Sequence, residues 1–395
     1  MPKFKLSVLI SAICLMGVLV YGLVAASQSP QPTVRLLTDP PISQVLPFEA
    51  EAATRLGSKQ PQSPVRLTLQ AVDADGQPLE NAKIRLQILT PPPNPWFPTD
   101  FPMVEGTKLL EIEANAPQGE LQAQQILPIR GTYQLLVNVT PVVANTFTPI
   151  QQTLRLTVAE NPLKYRNLGI LAVILLIVGL GGGLVIGGSQ QIQSGEIAPQ
   201  RVRLLLSGAT IVAIAALLVV NVNAEITESS PTHRHPGEHE HYSEANIPAF
   251  LQSQELKLEL IGDSHAIVGK PAQLSVQVRN SMTGQPVTNV LLKIKAMQLE
   301  NHWVAFAYHG APDVEGRLSW QEQFFDGAPH LVEVEAVPES SSFHQFKPFQ
   351  LSREIDVEGV APPLAVRIIG LAYFVSIVLA GLVLGLWLRW RWTWQ

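Results

Sequence analysis

The chain has 395 residues, 46% hydrophobic and only 15% charged, against about 25% charged in a soluble domain. This balance argues for a membrane protein with modest water-exposed parts. A net charge of −5 gives no basis for binding nucleic acid, and a single cysteine, Cys14, excludes an intramolecular disulfide.

Residues 6–26 carry no charge, follow Lys3 and Lys5, and reach the roughly 20 residues needed to cross a bilayer. They read as an uncleaved signal anchor, although Val24-Ala25-Ala26 also offers a small-residue cleavage site. Similar apolar runs follow at 168–188, 204–224 and 368–388, so four transmembrane helices are expected. Lys3 and Lys5, Arg201 and Arg203, and Arg389 and Arg391 fall on one face of the membrane if all four runs cross. The expectation is a multi-pass protein of the plasma membrane. Both termini and the loop 189–203 are cytoplasmic, and both large segments are extracytoplasmic. No run carries an ionisable residue at its middle, which argues against an ion or proton path. Gly179, Gly183 and Gly187 recur every four residues, and so do Gly381 and Gly385. Such spacing lets helices approach closely. It predicts packing within one bundle, with homo-oligomerisation as the alternative.

Segment 30–160 alternates apolar and polar residues over short runs: 65–72, 82–89, Tyr133-Leu135-Val137-Val139 and Leu154-Leu156-Val158. A period of two between turn residues predicts strands with one buried face. The stretch Pro91-Pro92-Pro93-Asn94-Pro95-Trp96 through Pro102 is a stiff excursion between strands. It reads as a long sandwich loop, with partner docking as the alternative. Segment 250–360 repeats the design. Its Leu274–Ile294 stretch aligns with Leu67–Leu86 through a shared Gly-Gln-Pro turn, Gly316 aligns with Gly119, and His330 takes the strand slot of Tyr133. A duplicated unit is the simplest account. The expected fold is therefore mixed: four transmembrane α-helices plus two extracytoplasmic Ig-like antiparallel β-sandwich domains in tandem.

The run Val72-Asp73-Ala74-Asp75-Gly76-Gln77-Pro78-Leu79, followed by Ala82-Lys83-Ile84-Arg85-Leu86, resembles transthyretin-like and bacterial Ig-like modules. It also resembles YtkA-like and FixH-like periplasmic domains. That resemblance implies membrane-tethered sandwiches associated with copper handling and cytochrome oxidase assembly. The Met/His copper patterns of such families are not evident in this chain.

All nine histidines lie between 233 and 344, and the first segment has none. Four of them, His233, His235, His239 and His241, form two His-x-His pairs around Pro236-Gly237 in the linker 225–248, interleaved with Glu238 and Glu240. Imidazoles and carboxylates together suit Cu, Zn or Ni. A solvated linker is the competing reading of the same residues. Elsewhere, His330 reads as a hydrogen-bonded core or edge residue, and His302 and His309 as surface-strand and turn residues. His265 and His344 fall at loop positions. No nucleophile elbow, His-Glu-x-x-His motif or phosphate loop is present, so no enzyme is expected. The function expected is a non-enzymatic envelope accessory that binds transition metal through the histidine-rich linker. The alternative is a membrane-anchored interaction scaffold with no metal role. Expected partners are the lipid bilayer and a membrane or periplasmic protein or second copy.

Overall fold

The structure, a computed structural model, describes residues 31–48, 64–187, 249–253, 256–338 and 346–393, and the single positions Met16, Val202 and Gly208. The first copy comprises β1 (Thr33–Asp39), β2 (Val65–Val72), β3 (Ala82–Leu89), β4 (Lys108–Ala116), β5 (Glu120–Gln125), β6 (Gly131–Pro141) and β7 (Ile150–Val158), followed by α1 (Pro162–Ile186). The second comprises β8 (Ala249–Ser253), β9 (Leu256–Gly262), β10 (His265–Ile267), β11 (Pro271–Asn280), β12 (Val290–Gln298), β13 (Val304–Gly310), β14 (Arg317–Gln323), β15 (His330–Pro338) and β16 (Phe349–Glu358), followed by α2 (Leu364–Thr393).

Alternation sets the strands. Val65, Leu67, Leu69 and Ala71 of β2 and Ala82, Ile84, Leu86 and Ile88 of β3 are buried, and the residues between them are not. The shared turn also recurs in detail. Asp73 Oδ1 accepts from the N–H groups of Asp75 and Gln77, and Asn280 Oδ1 accepts from those of Met282 and Thr283. Each turn closes with a bridge to its proline, Val72 to Pro78 and Arg279 to Pro286.

The two copies do not form two separate sandwiches, as the sequence led us to expect. One eight-stranded sheet runs β1-β2-β5-β13-β12-β15-β16-β10, and the facing one runs β7-β6-β3-β4-β14-β11-β9-β8. Each sheet joins half of one copy to the complementary half of the other. Strands β1-β2-β5 correspond to β9-β11-β14, and β7-β6-β3-β4 to β16-β15-β12-β13. The two seams, β5 with β13 and β4 with β14, are therefore the same contact made twice. In the first, Gln125 pairs with Phe306 and Ala123 with Tyr308. In the second, Ile112 pairs with Trp320 and Leu110 with Glu322. Period-two alternation reports which face is buried but not which edge a strand pairs with. One hydrophobic core spans both copies.

The four expected transmembrane helices are also corrected. Among the described residues two helices, Pro162–Ile186 and Leu364–Arg391, are long and apolar enough to cross a membrane, and four are not supported. The runs 6–26 and 204–224 lie outside the described residues, apart from Met16 and Gly208. An apolar run satisfies a hydropathy criterion without establishing a helix.

Helix α1 starts directly after β7. Asn161 caps it, its side chain accepting from the Leu163 N–H at 2.9 Å, and Pro162 suits the first turn. The glycines set how the helices meet. A Cβ at Gly179 would lie 2.2 Å from the carbonyl oxygen of Val378, and one at Gly183 2.2 Å from that of Leu382. Conversely, a Cβ at Gly381 would lie 2.3 Å from the Leu176 oxygen, and one at Gly385 2.3 Å from that of Leu180. Contact positions rise together along both helices, so the helices are parallel and backbone touches backbone. The glycine stripes are used within the chain, as packing predicts. Their outer faces leave Ile174, Ile177, Val178, Leu371, Val375 and Val383 exposed.

Candidate functional site

His233, His235, His239, His241, Glu238 and Glu240 lie outside the described residues, as does His344. The four described histidines do not converge. His265, on the edge strand β10, is exposed, with Nδ1 3.6 Å from the Asp356 carboxylate. His302 sits exposed in a turn at φ 56°, and His309 faces outward from β13. His330 is fully buried. Among the described residues no group of three or more His, Cys, Asp or Glu side chains could hold a metal ion.

What the fold does bring together is buried polar chemistry at the seams. Gln125 and Glu322 occupy matching positions six residues beyond the matching glycines Gly119 and Gly316. Both point inward on the last turn of alternation of their strands and are 1% exposed. Gln125 Nε2 donates to the Ile126 carbonyl at 3.2 Å, while its Oε1 has no partner. Glu322 Oε2 also lacks one. Burial lifts the Glu322 pKa to about 8, with the Trp320 side chain acting in the opposite direction. The acid is thus mostly protonated at neutral pH. Between the sheets, Phe306 and Trp320 stack with centroids 6.4 Å apart. Next in the strand, Gln323 Oε1 accepts from the Thr107 hydroxyl at 2.8 Å, across the seam.

A second cluster closes one end of the core. Phe48, Phe101, Trp303 and Phe325 stand with ring centroids 4.8 to 6.1 Å apart. His330 meets the edge of Trp303 at 5.5 Å and Phe324 at 4.5 Å. Its Nδ1 lies 2.7 Å from the Ala328 carbonyl, which can only accept, so Nδ1 carries the proton. Nε2 has no partner, and burial lowers the imidazole pKa to about 4. Nearby, Asp326 is pushed up by burial and by the charge of Glu300, and it accepts from Gln298 Nε2 at 3.3 Å.

The unpartnered polar atoms of the two clusters, Gln125 Oε1, Glu322 Oε2 and His330 Nε2, are all buried. The outer face of the second sheet carries a cleft of about 550 Å³ lined by Lys83, Arg85, Glu111 and Glu113. Within it Lys83 pairs with Glu113 and Arg85 with Glu111. The pairing and the nearby Lys108 hold the Glu111 carboxyl down at about 2, against the opposing effect of burial. Sequence reasoning missed Gln125 and Glu322, although both stand where alternation calls for an apolar residue: Leu121-x-Ala123-x-Gln125 and Leu318-x-Trp320-x-Glu322. It also missed the aromatic cluster, whose members are too far apart in the chain to signal one another.

No family model matches the chain, and no curated protein does. Among solved structures it is similar to a copper-bound variant of FetP from uropathogenic Escherichia coli strain F11, at 10% identity and a TM-score of 0.22, covering 29% of this chain and 99% of that one. It is also similar to the adhesin InvE of Yersinia pseudotuberculosis, at 11% identity and a TM-score of 0.18, covering 83% of this chain and 61% of that one. A third likeness is to invasin, a bacterial integrin-binding protein, at 8% identity and a TM-score of 0.19, covering 84% and 40% respectively. These likenesses are weak. No family match supports the YtkA-like or FixH-like assignment.

Proposed function

We propose that the protein is a non-enzymatic, membrane-anchored Ig-like scaffold of the cell envelope. The observation that carries this reading is the pair of parallel, glycine-packed helices, each following the last strand of one copy, with apolar outer faces exposed. An exposed apolar surface of that extent needs lipid or protein to cover it. Arg389 and Arg391 at the far end of α2 favour a cytoplasmic far end and an extracytoplasmic sandwich. The continuous sheets would hold both copies as one platform above the membrane. Extraction of membranes with alkaline carbonate tests the anchor: the chain stays in the pellet, and release into the supernatant rejects the reading. Protease added to the outer side of intact cells should cleave the sandwich and spare the helices.

A second reading, metal binding in the linker 225–248, is favoured by the two His-x-His pairs. Calorimetry on the full chain with Cu(II), Zn(II) and Ni(II) decides it. Replacement of His233, His235, His239 and His241 by Ser abolishes a real site, whereas binding no tighter than to a free hexahistidine peptide rejects it. Under the scaffold reading the same replacement leaves membrane partners unchanged.

A further inference from the structure

The proline-rich loop between β3 and β4 lies at the end of the sandwich from which both helices depart. Asn94 shapes its tip, its side-chain oxygen accepting from the N–H groups of Trp96 at 3.1 Å and Phe97 at 3.3 Å. The tip is fastened to both helices. The Trp96 carbonyl accepts from the Tyr373 hydroxyl of α2 at 2.8 Å, and the Phe97 and Tyr373 rings stack with centroids 6.5 Å apart. Arg130 donates to the Phe97 carbonyl at 2.9 Å and pairs with Glu160, just ahead of α1. Asp100 pairs with Lys164 in the first turn of α1.

Although the loop is fastened in this way, the Trp96 and Phe97 side chains are 65% and 64% exposed. Their backbone is held in place, so covering them costs little further ordering. Their position indicates what covers them. Tyr373 is five residues into the apolar run that starts at 368, about 7.5 Å along the helix. Its side chain leans back toward the helix N-terminus, which brings the loop tip level with the start of the run. Tyr165 of α1 is also exposed at this end. The other aromatic band of α2 includes Trp387 and Trp390. From Tyr373 to Trp390 is about 26 Å at 1.5 Å per residue, close to the roughly 30 Å of a hydrocarbon core. Two aromatic bands at that separation match the two interfaces of one bilayer.

We propose that the loop 91–103 is a lipid-interface anchor whose Trp96 and Phe97 side chains enter the headgroup boundary of the leaflet facing the sandwich. This rests on the proposed crossing of the membrane by α1 and α2. A third foothold beside the two helices would set the tilt of the sandwich on the membrane. The loop would then be neither an idle connection nor a protein-docking surface.

The test is fluorescence quenching on the full chain reconstituted in phosphatidylcholine vesicles. The emission of Trp96 is taken as wild type minus Trp96→Phe, a conservative change at an exposed site. With lipids brominated near the headgroup end of the acyl chain, this component should lose most of its intensity, while aqueous iodide should leave it nearly unchanged. The tryptophans at 387–394 report the helix separately. If they are quenched by the brominated lipid but the Trp96 component responds only to iodide, the loop faces water, open to a protein partner, and the anchor is rejected while the membrane reading stands. If the chain fails to float with vesicles, both are rejected.

Discussion

Tyr133 and His330 hold the same strand position in the two copies, and each turns a polar atom back onto the main chain just upstream. The Tyr133 hydroxyl accepts from the Ile129 N–H at 2.9 Å and donates to the Ile129 carbonyl at 2.7 Å. His330 donates from Nδ1 to the Ala328 carbonyl at 2.7 Å. The two positions share the role and differ in the residue. Tyr133→Phe removes the partner of a buried N–H and should cost about 1–3 kcal/mol. The thermal unfolding midpoint of the purified chain in detergent measures it.

The substitution of histidine for tyrosine brings a pH dependence. Burial lowers the His330 pKa from 6.5 to about 4, so between those values the unfolded chain binds a proton that the folded chain excludes. Stability from this group is complete above the unfolded value and is lost as pH falls through the folded one, a difference on the order of 3 kcal/mol. His330→Leu should unfold more easily at pH 7 yet lose less between pH 6.5 and 4. Denaturant titrations across that range show whether the slope belongs to this side chain.

Glu322 works in the opposite direction. Its pKa rises from 4.5 to about 8, so the folded chain keeps a proton that the unfolded chain gives up. This group's contribution is complete below pH 4.5 and is lost as pH rises through 8. Glu322→Gln supplies the amide that the first copy already carries at Gln125. Near pH 8 the variant should be more stable than wild type by roughly 2–4 kcal/mol, and the advantage should vanish below pH 4.5. An unchanged difference across that range would exclude titration of this carboxyl as the cause.

Glycines in α1 divide into two classes. Gly183 has no room for a Cβ, whereas Gly182 has nothing within 4 Å of one. Gly183→Ile should force the helices apart, and Gly182→Ile should leave them in place. Spin labels on Val173 and Val375, read by pulsed resonance in vesicles, should report a longer distance for the first variant alone.

Cutting the chain in the linker 225–248 should not release the copies from each other. The seams β5 with β13 and β4 with β14, together with the helix pair, join them without the linker. After cleavage at an inserted protease site the halves should co-elute on size exclusion in detergent; separation would show that the linker holds them.

Strand positions were legible because alternation is a local signal. Segments 65–72 and 82–89 appear as β2 and β3 with their buried faces as expected. The burial of His330 was legible because its partner position, Tyr133, is plainly apolar in context. The seams were not, since an edge strand and a central strand share the same period, and pairing between residues such as Gln125 and Phe306 leaves no trace in either segment alone. The metal expectation rested on a linker that the described residues do not include. The role of the proline-rich loop depends on Tyr373, far along the chain, and no local pattern joins the two.

A contact that occurs twice under a two-fold exchange is one that a single-copy chain can make with another of its kind. The shared sheets and reciprocal glycines have the form of such a homodimer interface within one polypeptide. A single polypeptide releases the requirement that both halves be identical. Glu322 therefore stands where the first copy has Gln125, and His330 where it has Tyr133, within the same pair of sheets.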